Sequence, residues 1–297
     1  MSISNPSGCT TAPQRKPSWL KRPIAFQGKQ QHVREQLAQS GLHTVCREAK
    51  CPNRSECFAR GTATFLVMGT VCTRGCTFCS VDKGSPGTLD MSEIDRIVTA
   101  AGSMNLTHVV ITSVTRDDLS DGGGAFFAAL VAAFRTALPR VSVELLIPDL
   151  GGDEQSLETV FNSKPSVLNH NVETVPSLYT AIRPQADYHR SLEVLRRSAA
   201  AGLVTKSGLM VGLGESPKEI CSTLDDLNAC GCSIVTIGQY LQPTPQQVPV
   251  REYVSLDQFS AYKHYGERIG ITRVVSGPFV RSSYNAAEVV QSLPHPK

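Results

Sequence analysis

The amino-acid sequence predicts an α/β protein whose core is a partial (β/α)6 barrel of the TIM type. Short apolar segments alternate with segments of helical periodicity six times over residues 63–270. Each unit takes roughly 30–40 residues, which is enough for a parallel strand and a right-handed helical crossover. A complete eight-stranded barrel typically takes about 250 residues, so the length of this segment favours six units over eight.

The predicted strands are runs of apolar and β-branched residues that end in polar or glycine-containing segments. They span residues 63–69, 107–112, 141–147, 166–171, 205–211 and 233–237. The predicted helices carry apolar residues three or four positions apart, as Ile94, Ile97 and Val98 do, and Ser92 is a candidate N-cap. They cover residues 92–101, 126–137, 176–182, 191–200, 218–229 and 256–270, and another begins at about residue 153.

Segments of a different character flank the predicted barrel. Residues 1–16 are small, polar and contain proline, and this composition predicts a flexible tail. Residues 17–62 are predicted to form an N-terminal extension and residues 271–297 a C-terminal extension. Both extensions are expected to cover the functional end of the barrel.

Composition excludes several classes of protein. The formal net charge of the 297 residues is only +3, whereas nucleic-acid binding needs a concentrated basic surface. The sequence contains no run of 18 apolar residues, so no membrane-spanning helix is predicted. The N-terminus also lacks the apolar region of a secretory signal. Ten cysteines in such a chain indicate metal binding in a reducing compartment rather than disulfides. We therefore expect a cytoplasmic protein without a membrane or nucleic-acid partner.

Six of the ten cysteines lie within residues 46–79 and form two triplets. The first, with the spacing C-x4-C-x5-C, is Cys46, Cys51 and Cys57, and the second, with the spacing C-x3-C-x2-C, is Cys72, Cys76 and Cys79. Thiolates are soft ligands that suit iron–sulfur clusters or zinc. A structural zinc site closes with four protein ligands, and each triplet is one ligand short. The triplets therefore favour clusters with an open position over the alternative, two zinc sites in a structural protein.

The second triplet follows directly after a predicted strand and is similar to the signature of the radical S-adenosylmethionine (SAM) enzymes. With the first triplet upstream and Arg281-Ser282-Ser283-Tyr284 near the C-terminus, the chain resembles the lipoyl synthase family from about residue 17 to residue 287. The resemblance implies two [4Fe–4S] clusters: one on the second triplet, whose open iron binds SAM, and an auxiliary one on the first.

The resemblance further implies that a serine of the C-terminal segment is the fourth ligand of the auxiliary cluster. Ser283 is the favoured residue and Ser282 the second choice, with a role in hydrogen bonding nearby. On residue type alone, the segment would be an ordinary C-terminal turn with helix-capping serines. Asn285 follows this segment, at a position where relatives often have histidine.

Polar and glycine residues concentrate where the predicted strands end, and function in such barrels lies at the carboxyl ends of the strands. Gly122 and Gly123 follow the second strand, where the resemblance implies contacts to the methionine part of SAM; a loop that caps a helix is the alternative. Arg183 fits a carboxylate-binding residue or a solvated surface arginine equally well. The further candidates for cofactor binding are Asn171, Glu173, Gly212, Gln239, Tyr240 and Gln242. Lys206 fits either a core residue or a substrate contact.

The resemblance implies insertion of two sulfur atoms at C6 and C8 of an octanoyl chain that is amide-linked to a lysine of a carrier domain. In that reaction the SAM cluster gives one electron to SAM, which yields methionine and a 5′-deoxyadenosyl radical that abstracts hydrogen. The auxiliary cluster is consumed as the sulfur donor, and two SAM are used per product. Unactivated C–H bonds explain why a radical cofactor carries the difficult step.

The implied partners are octanoylated lipoyl carrier domains, namely 2-oxoacid dehydrogenase E2 subunits and the H protein of glycine cleavage, together with an electron donor such as flavodoxin or ferredoxin. Two other functions remain open. The nearer is another two-cluster radical SAM enzyme, either a methylthiotransferase or a biotin-synthase-like sulfur-inserting enzyme. The farther is a non-catalytic iron–sulfur carrier.

Overall fold

The structure, a computed structural model, describes residues 16–20, 41–48, 51, 53, 64–284 and 286–291. The predicted tail, residues 1–16, lies outside the described residues except for residue 16, and so does most of the predicted N-terminal extension. No helix within the described ranges is long and apolar enough to cross a membrane.

The fold is α/β, and its centre is one eight-stranded sheet. The strands are β1 His43–Thr44, β2 Thr64–Val67, β3 Val71–Cys72, β4 Asp82–Lys83, β5 His108–Ser113, β6 Ser142–Leu146, β7 Val167–Asn169, β8 Thr205–Val211, β9 Ile234–Gln239 and β10 Arg273–Gly277. In space the order is β1-β2-β5-β6-β7-β8-β9-β10, while β3 and β4 form a separate pair.

The long sheet confirms the predicted fold class. Strand β1 is antiparallel to β2, and all other neighbours in the sheet are parallel. The six predicted strands correspond to β2, β5, β6, β7, β8 and β9. Strand β10 adds a seventh parallel strand inside the segment predicted as the C-terminal extension. Within the described ranges no strand joins β10 to β1, so the barrel is partial.

Helices follow most of the strands, with bounds close to those predicted. They are α1 Val45–Glu48, α2 Glu93–Ser103, α3 Gly124–Ala137, α4 Glu154–Asn162, α5 Tyr179–Ile182, α6 Tyr188–Ala200, α7 Pro217–Ala229, α8 Leu256–Ile269 and α9 Ala286–Gln291. Ser216 and Glu219 form a capping box at the start of α7. Ser92 occupies the predicted N-cap position of α2, but its hydroxyl donates to Asp90 at 2.6 Å and makes no capping hydrogen bond with a backbone N–H of the helix.

The core lies between the outer face of the sheet and the helices. Val109, Ile111 and Leu145 on the strands pack with Phe127 and Leu130 of α3 in one fully buried cluster. A second cluster joins the outer faces of β8, β9 and β10 to the helices α6, α7 and α8. Because side chains alternate along a strand, the remaining strand residues face the inside of the barrel.

That inner face carries a buried ionic network. The Lys206 Nζ atom lies 2.8 Å from Glu144 Oε1, and the Asn169 amide donates to the same oxygen at 2.9 Å. Burial alone would raise the pKa of Glu144, but Lys206 and His108 outweigh burial and lower this pKa to about 2. Lys206 is 1% exposed, so of its two predicted roles it has the core role.

We predict that Lys206→Met lowers the free energy of unfolding by about 3–5 kcal/mol, because the buried Glu144 carboxylate would lose its lysine partner. The matched control is Lys263→Met. Its ion pair with Glu267 is 3.0 Å long but partly exposed, and we expect a change of about 0–1 kcal/mol. Urea unfolding followed by circular dichroism measures both. Equal losses in the two variants would contradict the buried-pair assignment.

Candidate active site

The loop of the second cysteine triplet begins at the end of β3 and lies over the carboxyl ends of the parallel strands. Cys72, Cys76 and Cys79 are half-buried free thiols. The backbone N–H groups of Arg74 and Thr115 each lie 3.4 Å from the Cys72 sulfur. Burial raises the pKa of Cys76 and raises that of Cys79 to about 11.

Backbone contacts attach this loop to the segments that follow several different strands. The Thr73 N–H donates to the Thr115 carbonyl after β5 at 3.1 Å, and the Thr77 N–H donates to the Ile182 carbonyl in α5 at 2.9 Å. The Gln247 side chain, after β9, donates to the Cys79 carbonyl at 3.2 Å. The loop is therefore hydrogen-bonded to segments that follow β5, β7 and β9.

Arg74, inside this loop, is buried and binds two carboxylates. Its guanidinium contacts Asp117, after β5, and Asp149, after β6, each through two nitrogen atoms. Burial would raise the pKa of Asp149, but Arg74 lowers it to about 2. The sequence pattern did not indicate this residue, because its partners are separated from it by 43 and 75 positions.

Described residues of the first-triplet segment contact both the second triplet and the C-terminal segment. Cys51 is a half-buried free thiol. The Ser80 hydroxyl, next to Cys79, donates to the Glu48 carbonyl at 3.0 Å. The Asn53 amide donates to the Phe279 carbonyl at 2.6 Å. Cys46 lies in α1 without a described side chain, and Cys57 lies outside the described residues.

The C-terminal segment that contains the two predicted serine ligands enters the inside of the barrel. The Ser282 hydroxyl donates to the Asn171 side-chain oxygen at 2.9 Å. A β-carbon at Gly208 would lie 3.0 Å from that hydroxyl, and one at Gly238 would overlap the Val280 carbonyl. Glycines inside β8 and β9 thus make room for the segment. A glycine within a predicted strand often marks such a close approach, and this signal was available in the sequence.

Arg183 is buried directly after α5, so a solvated surface position is wrong for it. One terminal nitrogen donates to the carbonyls of Asn171 and Val172 and to the Tyr179 hydroxyl. Its Nε atom is buried without a hydrogen-bond partner among the described residues. The guanidinium also lowers the pKa of Cys76 against the larger effect of burial. A buried donor is therefore left over beside the second triplet.

Asn171 and Glu173, two of the candidates for cofactor binding, contact each other beyond the end of β7. The Asn171 amide donates to Glu173 Oε1 at 3.0 Å. Burial raises the pKa of Glu173, although Arg183 acts in the opposite direction. Glu173 has a φ of +67°, a conformation that costs free energy for a residue other than glycine and often accompanies functional sites.

Two of the residues predicted to line a cofactor cavity are structural instead. Gln239 is fully buried; its amide nitrogen donates to the Glu252 carbonyl at 2.8 Å, and its oxygen accepts from the Val254 N–H at 2.9 Å. Tyr240 is 2% exposed and donates its hydroxyl to the Val248 carbonyl at 2.7 Å. The cavity-lining prediction is wrong for both side chains, because neither presents a free polar atom to a ligand.

Gly212 is likewise explained by packing, since a β-carbon there would overlap the Gln239 amide and the Glu252 carbonyl. Gln242 is exposed and donates to the Gln247 carbonyl at 2.7 Å. Nothing in this contact decides whether Gln242 binds a cofactor, so that role stays a prediction.

Gly122 and Gly123 form the turn into α3, with φ values of +58° and +93°. A β-carbon on Gly123 would overlap the Met68 sulfur, and one on Gly122 would lie 3.2 Å from the Leu150 Cα atom. Asp121 caps the helix by accepting from the Gly123 and Ala125 N–H groups. The close approach that requires glycine here is to protein atoms. A ligand contact stays a prediction for the backbone of this turn.

His170 is buried behind the ends of β6 and β7. Its Nδ1 atom lies 2.9 Å from the Ile147 carbonyl, so Nδ1 carries the proton. Burial, with Arg183 nearby, lowers the pKa of His170 to about 4, and the imidazole is therefore neutral at pH 7. Asp149 acts in the opposite direction, and Arg74 adds to the lowering.

We predict that His170 makes the metal-free, reduced chain less stable as the pH falls from 6.5 to 4. A pKa that is lower in the folded state gives stability that is complete above the unfolded value and is lost towards the folded value. A shift of this size corresponds to on the order of 3 kcal/mol. Guanidinium unfolding of His170→Asn should show a correspondingly smaller loss over this range. The exposed His264→Asn variant should follow the wild type, and identical curves for His170→Asn would contradict the prediction.

Comparison with known proteins identifies the superfamily to which the chain belongs. The family model of the radical SAM superfamily matches residues 66–227. The crystal structure of methylornithine synthase aligns with a TM-score of 0.54 at 15% identity, covering 87% of this chain and 85% of that one, which shows a common fold. The chain belongs to the radical SAM superfamily.

Two relatives narrow the class. A lipoyl synthase from Oleidesulfovibrio alaskensis is 52% identical over 277 residues, which cover 93% of this chain and 95% of the relative. A lipoyl synthase from Pelodictyon phaeoclathratiforme is 50% identical over 276 residues, which cover 92% and 94%. Within the superfamily, the chain belongs to the lipoyl synthase family, whose members are iron–sulfur transferases of lipoate biosynthesis.

Proposed function

We propose that the chain inserts two sulfur atoms at C6 and C8 of an octanoyl chain on a carrier-domain lysine, forming the lipoyl group with an auxiliary [4Fe–4S] cluster as the consumed sulfur donor. The observation that carries the proposal is the convergence of three segments at one end of the barrel. Through Glu48 and Asn53, described residues of the first-triplet segment contact Ser80 beside the second triplet and Phe279 in the C-terminal segment.

The residues at this end of the barrel fit the cofactors of the superfamily. Cys72, Cys76 and Cys79 offer three soft, unpaired thiols in one loop, which suits a [4Fe–4S] cluster with one open iron. The unpartnered Nε donor of Arg183 is buried beside them and suits the carboxylate of SAM. When bound, these two cofactors supply the hydrogen-abstracting radical, and the auxiliary cluster supplies sulfur.

The side chains of the protein would bind and orient these cofactors. Arg183 holds a carboxylate, while Asn171 and Glu173 accept hydrogen bonds at the end of β7. The buried position of Arg183 keeps water away from this donor, which strengthens its interaction with an anion. Two C–H bonds are broken and two C–S bonds are formed in the overall reaction.

Cys46, Cys51 and Cys57 would hold the auxiliary cluster, with Ser283 as the fourth ligand. Ser282 already donates its hydroxyl to Asn171, whereas Ser283 is half-buried and has no hydrogen bond to a described residue. This difference supports Ser283 over Ser282. An alkoxide oxygen is a harder ligand than thiolate and matches cluster iron less well, so it would leave more easily when the cluster gives up sulfur.

The proposed partners are octanoylated lipoyl carrier domains, on 2-oxoacid dehydrogenase E2 subunits or on the glycine cleavage H protein, and a reductant such as flavodoxin or ferredoxin. A cytoplasmic location would give access to all of them.

The test is anaerobic incubation of the reconstituted chain with SAM, dithionite and an octanoyl-lysine peptide, followed by mass spectrometry. We expect a gain of two sulfur atoms, with loss of two hydrogens once the dithiol closes to a disulfide. Formation of 5′-deoxyadenosine without peptide thiolation would point to another radical SAM activity. No 5′-deoxyadenosine at all would leave only a non-catalytic iron–sulfur carrier.

We predict that the two triplets separate in this assay. Alanine at Cys72, Cys76 or Cys79 should abolish SAM cleavage, because the electron source is lost. Alanine at Cys46, Cys51 or Cys57 should retain some cleavage, measured as 5′-deoxyadenosine, but form no thiolated peptide. Cys221→Ala, a half-buried cysteine of α7, is the control and should retain both products. Identical behaviour of the two triplets would contradict the division of roles.

We predict that Ser283→Ala retains most SAM cleavage and depresses thiolated product in a single turnover, because the auxiliary cluster loses an exchangeable ligand. Ser283→Cys should retain the auxiliary cluster but slow sulfur insertion, since thiolate holds iron more firmly. Both 5′-deoxyadenosine and product mass are measured.

The matched control is Ser282→Ala, which removes the hydrogen bond to Asn171. Wild-type product from Ser283→Ala together with an inactive Ser282→Ala would move the role to Ser282. Wild-type activity of both variants would exclude serine ligation.

A further inference from the structure

We propose that Arg74 is a positioning residue for the cluster of the second triplet, which it holds in place and whose reduction potential it raises. The proposal rests on the proposed function only in that Cys72, Cys76 and Cys79 hold a cluster. It assigns a role to the one buried charge inside the loop that carries these cysteines.

The geometry around Arg74 is that of a double clamp. Its Nε and Nη2 atoms donate to the two oxygens of Asp117 at 2.8 and 2.7 Å. Its Nη1 and Nη2 atoms donate to the two oxygens of Asp149 at 2.9 and 2.7 Å. Bidentate arginine–carboxylate pairs fix orientation as well as distance. Two such pairs on one guanidinium leave this side chain little freedom to move.

Both carboxylates are themselves held in place. Asp149 is fully buried, accepts from the Gly151 N–H at 3.2 Å and lies 3.5 Å from an Arg190 nitrogen. Asp117 accepts from the Thr73 hydroxyl at 2.9 Å. The clamp thus ties the cysteine loop to the ends of β5 and β6, which are neighbours in the sheet.

The clamp acts on an atom that contacts a cysteine sulfur. The backbone N–H of Arg74 lies 3.4 Å from the Cys72 sulfur, at the same distance as the Thr115 N–H. Thr115 is two residues before Asp117, so both donors belong to segments that the clamp joins. Hydrogen bonds to cluster sulfurs are among the factors that set reduction potential, because they stabilise the more negative reduced state. Loosening the clamp should therefore lower the potential.

If the Arg74 ion pairs were purely structural, breaking them would lower the stability of the chain without changing the reduction potential of the cluster. The two possibilities separate in a chain that carries only the second triplet, with Cys46, Cys51 and Cys57 replaced by alanine, so that a single cluster is observed. In this background we compare Arg74→Gln, Arg74→Lys and Asp117→Asn. Lys206→Met is the control, because it breaks a buried ion pair of the barrel interior that has no part in the loop.

The readouts are the midpoint potential from an EPR-monitored redox titration and the rate of iron release to a chelator. We expect Arg74→Gln to shift the midpoint to a more negative value and to release iron on the order of 10-fold faster, as with other residues that orient metal ligands. Arg74→Lys keeps the charge and should recover part of both effects. Asp117→Asn, which weakens one arm, should give a smaller shift in the same direction, whereas Lys206→Met should lower the melting temperature without moving the midpoint.

Wild-type midpoints and release rates in Arg74→Lys and Asp117→Asn would overturn the proposal, even if Arg74→Gln failed to load iron. Equal midpoint shifts in Lys206→Met and Asp117→Asn would also overturn it, since the effect would then follow stability alone. Neither readout uses the octanoyl substrate or the first triplet. A failure of sulfur insertion would therefore leave the proposal standing, and a background chain that binds no iron would instead refute the assignment of the second triplet.

Discussion

The common direction of seven parallel strands is the constraint on which the site depends. Because these strands all end on one side of the sheet, the loops that follow them must meet there. This arrangement brings together the cysteine loop, which follows β2 and the short strand β3, with Asp117 after β5, Asp149 after β6 and Arg183 beyond β7. The Asn53–Phe279 hydrogen bond joins residues of the two predicted extensions that are 226 positions apart.

The inside of the barrel is built to admit a segment of chain. Gly208 and Gly238 stand on neighbouring strands, and the C-terminal segment approaches both of them through Ser282 and the Val280 carbonyl. Deeper in the barrel the Lys206–Glu144 pair fills the space with charge that is internally compensated. An apolar interior like that of a closed barrel would leave no hydrogen-bond partner for Ser282. The polar inner face and the position of the serine segment are therefore parts of one arrangement.

Periodicity was sufficient to predict most of the fold, because it is a local signal, and cysteine spacing indicated the two triplets for the same reason. Strand β10 is not predicted from the sequence, because a five-residue strand with two central valines has too short a pattern of alternation to be distinctive. The prediction is wrong for Gln239 and Tyr240 because a position at a strand end does not determine which way a side chain points. It also does not determine which protein groups satisfy the hydrogen bonds of that side chain. Arg74 was missed for a related reason: its importance depends on two carboxylates that only the folded chain brings near.

The two buried arginines in and beside the loop of the second triplet differ in their unused hydrogen-bond donors. Arg74 uses four of its five N–H groups on two carboxylates and has a single N–H group left. Arg183 keeps a buried Nε atom with no partner among the described residues, and an unpaired buried donor is costly. A protein site retains such a donor when a ligand satisfies it. The use of its donors thus distinguishes Arg74, which holds the loop, from Arg183, whose free donor supports the proposed contact with a cofactor carboxylate.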